Sequence, residues 1–266
     1  MARCVVVILF LALLAPILAE AESPKPISPV VQVILTPAQV AAAKLGPLMD
    51  AVAVTPDGIS VISADDQLWL VGAAGILPVG KIRGVHSFTF TPEGLLVGVK
   101  GRDLVYLTPN GTLKVFFKLP SGNMAVVSGV GDSLLLFGPD GSKGYGLYSV
   151  RPGRHITKVL DAPKPITAAA QIGNRFLLVT GGALYGVAGH KLHLLAGEPN
   201  GILTSVAIDA AGGRIFLSDG AHIFRFNDKA VVPVAGDMGG TLRWYGGGLL
   251  VFDAPHRSLV RLVGLP

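Results

Sequence analysis

The chain has 266 residues, half of them hydrophobic and only 15% charged, with a net charge of +5 at pH 7. That is enough apolar material for one sizeable core and too little charge for a disordered chain. The basic residues are dispersed, as Lys81, Arg83, Lys100, Lys114 and Lys118 illustrate, so the sequence offers no continuous footprint for nucleic acid.

The first element reads as an export signal. Arg3 precedes an almost wholly apolar run from Cys4 to Ala19, and Ala19-Glu20-Ala21 is a small-x-small cleavage site that would leave Glu22 as the first mature residue. The run is shorter than the roughly 20 apolar residues a spanning helix needs, and Pro16 interrupts it, so cleavage is preferred to retention as an anchor. Cleavage removes Arg3, Glu20 and the single cysteine, Cys4. The remaining domain has no thiol and no disulfide, and burial and strand pairing must hold it. The expected destination is periplasmic or secreted, with no stable membrane span.

Val30–Leu35 (VVQVIL) has strand composition. Thr36 then supplies a helix cap, Pro37 suits the first helical position and Gln39 completes a capping box, which predicts a short helix over 37–45 ended by Gly46.

From Ala51 onward one unit recurs. It is an apolar run, a Gly-rich turn, a second run, a polar loop, a third run, a turn and a fourth run. The units cover 51–79, 87–117, 124–160, 166–197, 203–236 and 241–263. Their second runs begin near Ile59, Leu95, Leu134, Phe176, Ile215 and Leu249, at spacings of 34 to 42 residues. Those spacings fit the roughly 40 residues of a four-stranded propeller blade. Asp57-Gly58, Glu93-Gly94 and Asn110-Gly111 sit between runs, where glycine supplies the positive φ of tight hairpins. Most runs are apolar at nearly every position, as expected where both faces of a blade pack on neighbours.

The last unit has only three runs, and Val30–Leu35 is a run to spare. Pairing them would close a ring and remove an open edge. In an open sandwich or an eight-to-ten-stranded barrel that complementarity would be accidental, and a seven-bladed ring is the other alternative. The fold class expected is therefore all-β, a six-bladed β-propeller in one domain, 22–266, closed by the N-terminal strand of the mature chain.

Units four and five carry a resemblance. His193–Asp228 (HLLAGEPNGILTSVAIDAAGGRIFLSDGAHIFRFND) and Val231–Gly240 (VVPVAGDMGG) resemble NHL-repeat propellers, in which Ala-Gly ends one blade and a Val-Ala-Ile-Asp run opens the next. Unit one matches more loosely, and units three and six only in outline. The resemblance covers about half of the mature chain and implies architecture more than activity. Related six-bladed propellers include the SMP-30/gluconolactonase enzymes, whose resemblance implies a divalent cation on the axis and lactone hydrolysis.

Against that implication, the mature chain has only three glutamates. Glu22 precedes the propeller, Glu93 sits in a hairpin turn, and Glu198, with Asn200, lies on a loop between blades. Asp65, Asp66, Asp103, Asp140, Asp219 and Asp253 lie on loops between second and third runs, where they are ligand candidates or ordinary turn residues. The weak metal set is thus Asp65, Asp219, Asp253, Glu198 and Asn200. His190 and His193 fall on opposite faces of a strand, and no other ligand accompanies them. No Gly-x-Ser-x-Gly or His-Glu-x-x-His motif is present. The long loop Gly138–Gly144, with Asp140, Ser142 and Lys143, and the loop residue Arg102 are candidates for partner contact. Trp69, Trp244, Tyr245 and Tyr148 read as blade packing.

Two functional readings follow. The first is a non-catalytic, exported binding or scaffold module for a protein or envelope component, with no cofactor. The second is a metal-dependent hydrolase or lactonase with a divalent cation on the axis.

Overall fold

The computed structural model describes residues 29–266 apart from 56–57, 92, 109, 142–143, 152–154, 198–200 and 229. The export signal expected over residues 1–21, with its cleavage site at Ala21, lies outside the described residues. The described chain begins with β1 (Val30–Leu35) and α1 (Pro37–Ala42). Blade 1 is β2 (Leu48–Ala53), β3 (Ser60–Ala64), β4 (Gln67–Gly72) and β5 (Gly75–Lys81); blade 2 is β6 (Val85–Phe90), β7 (Leu96–Lys100), β8 (Asp103–Leu107) and β9 (Leu113–Lys118). Blade 3 is β10 (Ala125–Ser128), β11 (Leu134–Pro139), β12 (Tyr145–Val150) and β13 (Ile156–Ala162); blade 4 is β14 (Ile166–Ile172), β15 (Arg175–Thr180), β16 (Ala183–Ala188) and β17 (Lys191–Gly197). Blade 5 is β18 (Ser205–Asp209), β19 (Arg214–Ser218), β20 (Ile223–Phe226) and β21 (Val231–Ala235), and blade 6 is β22 (Thr241–Tyr245), β23 (Gly248–Asp253), β24 (Ser258–Val263) and β1.

The first strand of each blade faces the axis, and successive inner strands pack on one another around most of the ring. The outermost strands carry the exposed apolar side chains, among them Val33, Leu77, Val115 and Leu194. Middle strands are buried on both faces. In β3 every residue is buried, which explains why its sequence does not alternate. The six apolar clusters coincide with the six seams between blades. One, for example, joins Leu135 and Phe137 of blade 3 to Ala169 and Leu178 of blade 4.

β1 pairs antiparallel with β24, from Val30 opposite Val263 to Leu35 opposite Leu259, with one irregularity between Val33 and Leu35. The sixth sheet is thus completed from the other end of the chain. α1 has the expected cap: Thr36 Oγ1 accepts from Gln39 N, and the Gln39 side chain accepts from Thr36 N at 2.8 Å. It ends at Ala42, short of the expected Leu45, because Lys44 turns the chain through a left-handed conformation (φ 52). That turn sends Leu45 inward, and Val40 and Leu45 join Leu250, Phe252 and Leu259 in the seam between blades 6 and 1. Blade 1 starts at Leu48 and not at Ala51, because Leu48 and Asp50 already pair with β3 across a bulge. No helix among the described residues is long and apolar enough to cross a membrane.

Candidate functional site

The inner strands begin on the face that carries both the connections between blades and the loops between second and third strands. At their start lies an axial cavity of about 230 Å³ lined by Met49, Asp50, His86, Thr167, Thr204 and Arg243, among others. Equivalent backbone positions stitch neighbouring blades there. Phe88 N donates to Asp50 Oδ2 at 3.0 Å, Val126 N to Ser87 Oγ at 3.1 Å, and Leu242 N to Ser205 Oγ at 2.9 Å. His86 Nε2, 2.9 Å from the Met124 carbonyl, makes a further link between blades 2 and 3.

Asp50 stands out because it is charged and buried. Its Oδ1 also accepts from Ala51 N at 2.8 Å. From the opposite side Arg243 Nη2 donates to Oδ1 at 2.9 Å and to Oδ2 at 3.0 Å. One carboxylate therefore binds blade 1 to blade 2 through a backbone amide and to blade 6 through a guanidinium. Tyr245, two residues along β22, donates from its hydroxyl to the Val54 carbonyl at 2.7 Å. The blade 6–blade 1 seam is thus fastened at the axis as well as at the rim.

The loop-face aspartates are distributed, not gathered. Asp65 and Asp66 form the tight turn between β3 and β4, both with left-handed backbones (φ 53 and 57). Asp65 Oδ2 accepts from Gly46 N at 2.6 Å, and Asp66 Oδ1 accepts from Gly84 N at 3.0 Å. Asp219 and Asp253 repeat one device on adjacent blades. Asp219 Oδ1 accepts from Ala221 N and His222 N, while its Oδ2 lies 2.9 Å from His222 Nδ1. Asp253 accepts from His256 N, with its Oδ2 2.7 Å from His256 Nδ1. Burial would raise the Asp219 carboxyl, but the His222 side chain and the Ala221 and His222 amides outweigh it and hold the group below the usual carboxylate range.

Glu198 and Asn200 lie outside the described residues, as do Ser142 and Lys143. Asp140 meets Lys158 at 2.5 Å, and Lys158 also meets Asp161. Burial, followed by the hydrogen bond to Asp140, pushes the Tyr148 hydroxyl up to about 12. Arg102 donates to the Pro120 carbonyl at 2.9 Å, and Asp103 pairs with Lys118. His190 occupies the hairpin between β16 and β17, with Nδ1 2.7 Å from the Val159 carbonyl, while His193 lies on β17 opposite Gly186. Trp244 stacks on Phe216 at 5.5 Å between centroids, with the Arg214 guanidinium 5.3 Å from its ring.

Among the described residues no three His, Cys, Asp or Glu side chains are placed to hold one metal ion. A hard divalent cation needs several convergent oxygen donors. The described axis supplies two carboxylates at opposite ends: both Asp50 oxygens already receive N–H groups and a guanidinium, and Asp209 is held by Arg214. These residues do not fit such an ion. Reasoning from sequence missed Asp50 and Arg243. The paired Asp-x-x-His spacing at 219–222 and 253–256 was visible, and it would have indicated side chain-closed loops.

Neither a family model nor a curated protein matches the sequence. Solved structures do match. A gluconolactonase from Xanthomonas campestris superposes with a TM-score of 0.65 at 12% identity, over 90% of this chain and 90% of that one. The chain shares the fold of gluconolactonase-type propellers. A calcium-binding regucalcin from Agrobacterium tumefaciens gives a TM-score of 0.63 at 15% identity, over 82% of this chain and 91% of that one. A chain of a nidogen/laminin complex gives 0.58 at 10% identity, over 75% of this chain and 94% of that one. At these identities the likeness is one of fold.

Proposed function

We propose that this chain is an exported, non-catalytic binding module that presents its loop face to a protein or envelope component. The observation that supports it is the engagement of the described loop-face acids. Asp50, Asp65, Asp66, Asp219 and Asp253 each accept from backbone amides or basic side chains of the scaffold. The same face exposes Met49 at the axial mouth and Ile202 beside the loop between β15 and β16, at 54% and 68%. Exposed apolar side chains rimmed by polar ones are a common basis for protein contact. The nidogen/laminin relative gives a propeller of this shape in a protein complex.

The test is capture from the native compartment with the wild-type chain and with Ile202→Glu. Saturable capture of one partner, lost in the variant, is expected. Failure of the wild-type chain to retain any partner defeats the reading. Amino-terminal sequencing of the exported protein is expected to begin at Glu22.

A lactonase reading is favoured by one observation, the fold shared with gluconolactonases. It predicts lactone opening that depends on an added divalent cation and is abolished by a chelator.

A further inference from the structure

We infer that the propeller axis is a receptor for a small organic carboxylate, held by the unpartnered Nη1 of the Arg243 guanidinium. The inference rests on the binding reading only in taking the axis as a place of recognition, and it concerns a ligand distinct from the loop-face partner.

The first argument is spatial. A second cavity, of about 510 Å³, opens at the far ends of the inner strands and is lined by Ser128, Gln171, Asp209 and Trp244, among others. Val127, Ala169, Val206, Leu242 and Arg243 line both cavities. Arg243 is the one charged residue common to both.

The second argument is an inventory of donors and acceptors. A guanidinium carries five N–H groups. In Arg243 only Nη2 is engaged, by the two oxygens of Asp50. Among the described residues Nε has no hydrogen-bond partner and is sealed from the cavities, while Nη1 finds no acceptor and is not sealed. The Asp50 oxygens, by contrast, already accept from Ala51, Phe88 and Arg243. At the far cavity the Asp209 carboxylate is held by Arg214, with Nε at 2.8 Å and Nη2 at 2.7 Å. The axis therefore presents one spare donor, Nη1, beside saturated carboxylates. A ligand that completes it brings an acceptor and negative charge, and a carboxylate oxygen accepting from Nη1 supplies both.

The third argument concerns size and charge. Asp50 lies within hydrogen-bond distance of the same guanidinium, so a dianion meets more repulsion than a monoanion. The shared walls Val127, Ala169, Val206 and Leu242 are apolar, and Thr167 and Thr204 at the loop-side cavity donate their hydroxyls to the Val179 and Ser218 carbonyls. Such walls suit a short carboxylate with an apolar body.

The test uses the purified full-length chain, ¹³C-labelled acetate as probe and inorganic phosphate as competitor. Acetate line broadening and tryptophan emission, the latter reporting on Trp244, are followed by titration. Saturable acetate binding is expected, with phosphate a weaker competitor. In the paired variant Asp50→Asn/Arg243→Met, which leaves no lone buried charge, affinity should fall at least tenfold. Met49→Trp, which fills the loop-side mouth without touching Arg243, should weaken binding while leaving the melting temperature unchanged. The inference is overturned by a linear acetate response, by unchanged affinity in either variant, or by phosphate outcompeting acetate. Because no macromolecular partner is present, loss of the loop-face reading would not alter these outcomes.

Discussion

Breaking the Asp50–Arg243 pair should cost far more than breaking a surface ion pair. Both side chains are largely buried, at 9% and 16% exposure. Removing one partner leaves the other charge with little solvent, which typically costs about 3–5 kcal/mol. Arg243→Gln leaves Asp50 with the Phe88 and Ala51 amides as partial compensation, so a loss of about 3 kcal/mol is expected, or roughly 6–12 °C in melting temperature for a domain of this size. Asp50→Ala also orphans the buried Phe88 amide and should cost about 4 kcal/mol. The paired change Asp50→Asn/Arg243→Gln restores neutrality and keeps an acceptor for Phe88 N, so its cost should fall to about 1–2 kcal/mol. The assay is urea unfolding followed by tryptophan fluorescence, analysed as a double-mutant cycle. A coupling energy under about 0.5 kcal/mol would refute the claim that this pair fastens the ring.

Four further outcomes are expected. The folded-state pKa of Tyr148 lies above its unfolded value, so its contribution to stability is complete below about pH 10 and is lost as pH rises towards about 12; ultraviolet titration should show one late-ionising tyrosine that disappears in Tyr148→Phe. Asp209 and Asp219 are held below the usual carboxylate range, so their stabilisation is present above the ordinary aspartate pKa and is lost as pH falls through their lower folded values; melting temperature against pH should show a shallower acid limb in Asp219→Asn. Gly240 has φ +136, and an added Cβ would lie 2.2 Å from the Phe252 carbonyl oxygen, so Gly240→Ala should destabilise by more than about 3 kcal/mol. Gly213, with φ +64 and open space around its Cβ position, should tolerate asparagine at a cost within about 0.5–1 kcal/mol by the same unfolding assay.

The repeat was legible because it is local. Each blade is a run of hairpins, and turn residues such as Asn110-Gly111 mark them at short range. The closing strand was legible for a similar reason: three runs at one end and a spare run at the other complete one four-stranded sheet. The capping box at Thr36 and Gln39 was readable from spacing alone. The axial pair was not. Asp50 and Arg243 are 193 residues apart, each is flanked by apolar strand residues, and no short-range pattern connects them. Their meeting depends on the ring closing in the right register. The loop aspartates were read by composition as candidates for one site, and composition does not report direction. Asp65 turns to Gly46 and Asp219 to its own loop, so a set that is a ring in sequence is a series of separate clasps in space.

The pairing of β1 with β24 also sets an order of events. Five sheets can form from hairpins whose partners are neighbours along the chain, whereas the sixth waits for residues 30 and 263 to meet. Closing so long a loop is slow relative to hairpin formation. Until it happens, β24 offers an unsatisfied row of amides and carbonyls to any strand nearby, including β1 from a second molecule. Crowded refolding should therefore yield exchanged dimers joined at this one blade, and a covalent link across it should suppress them.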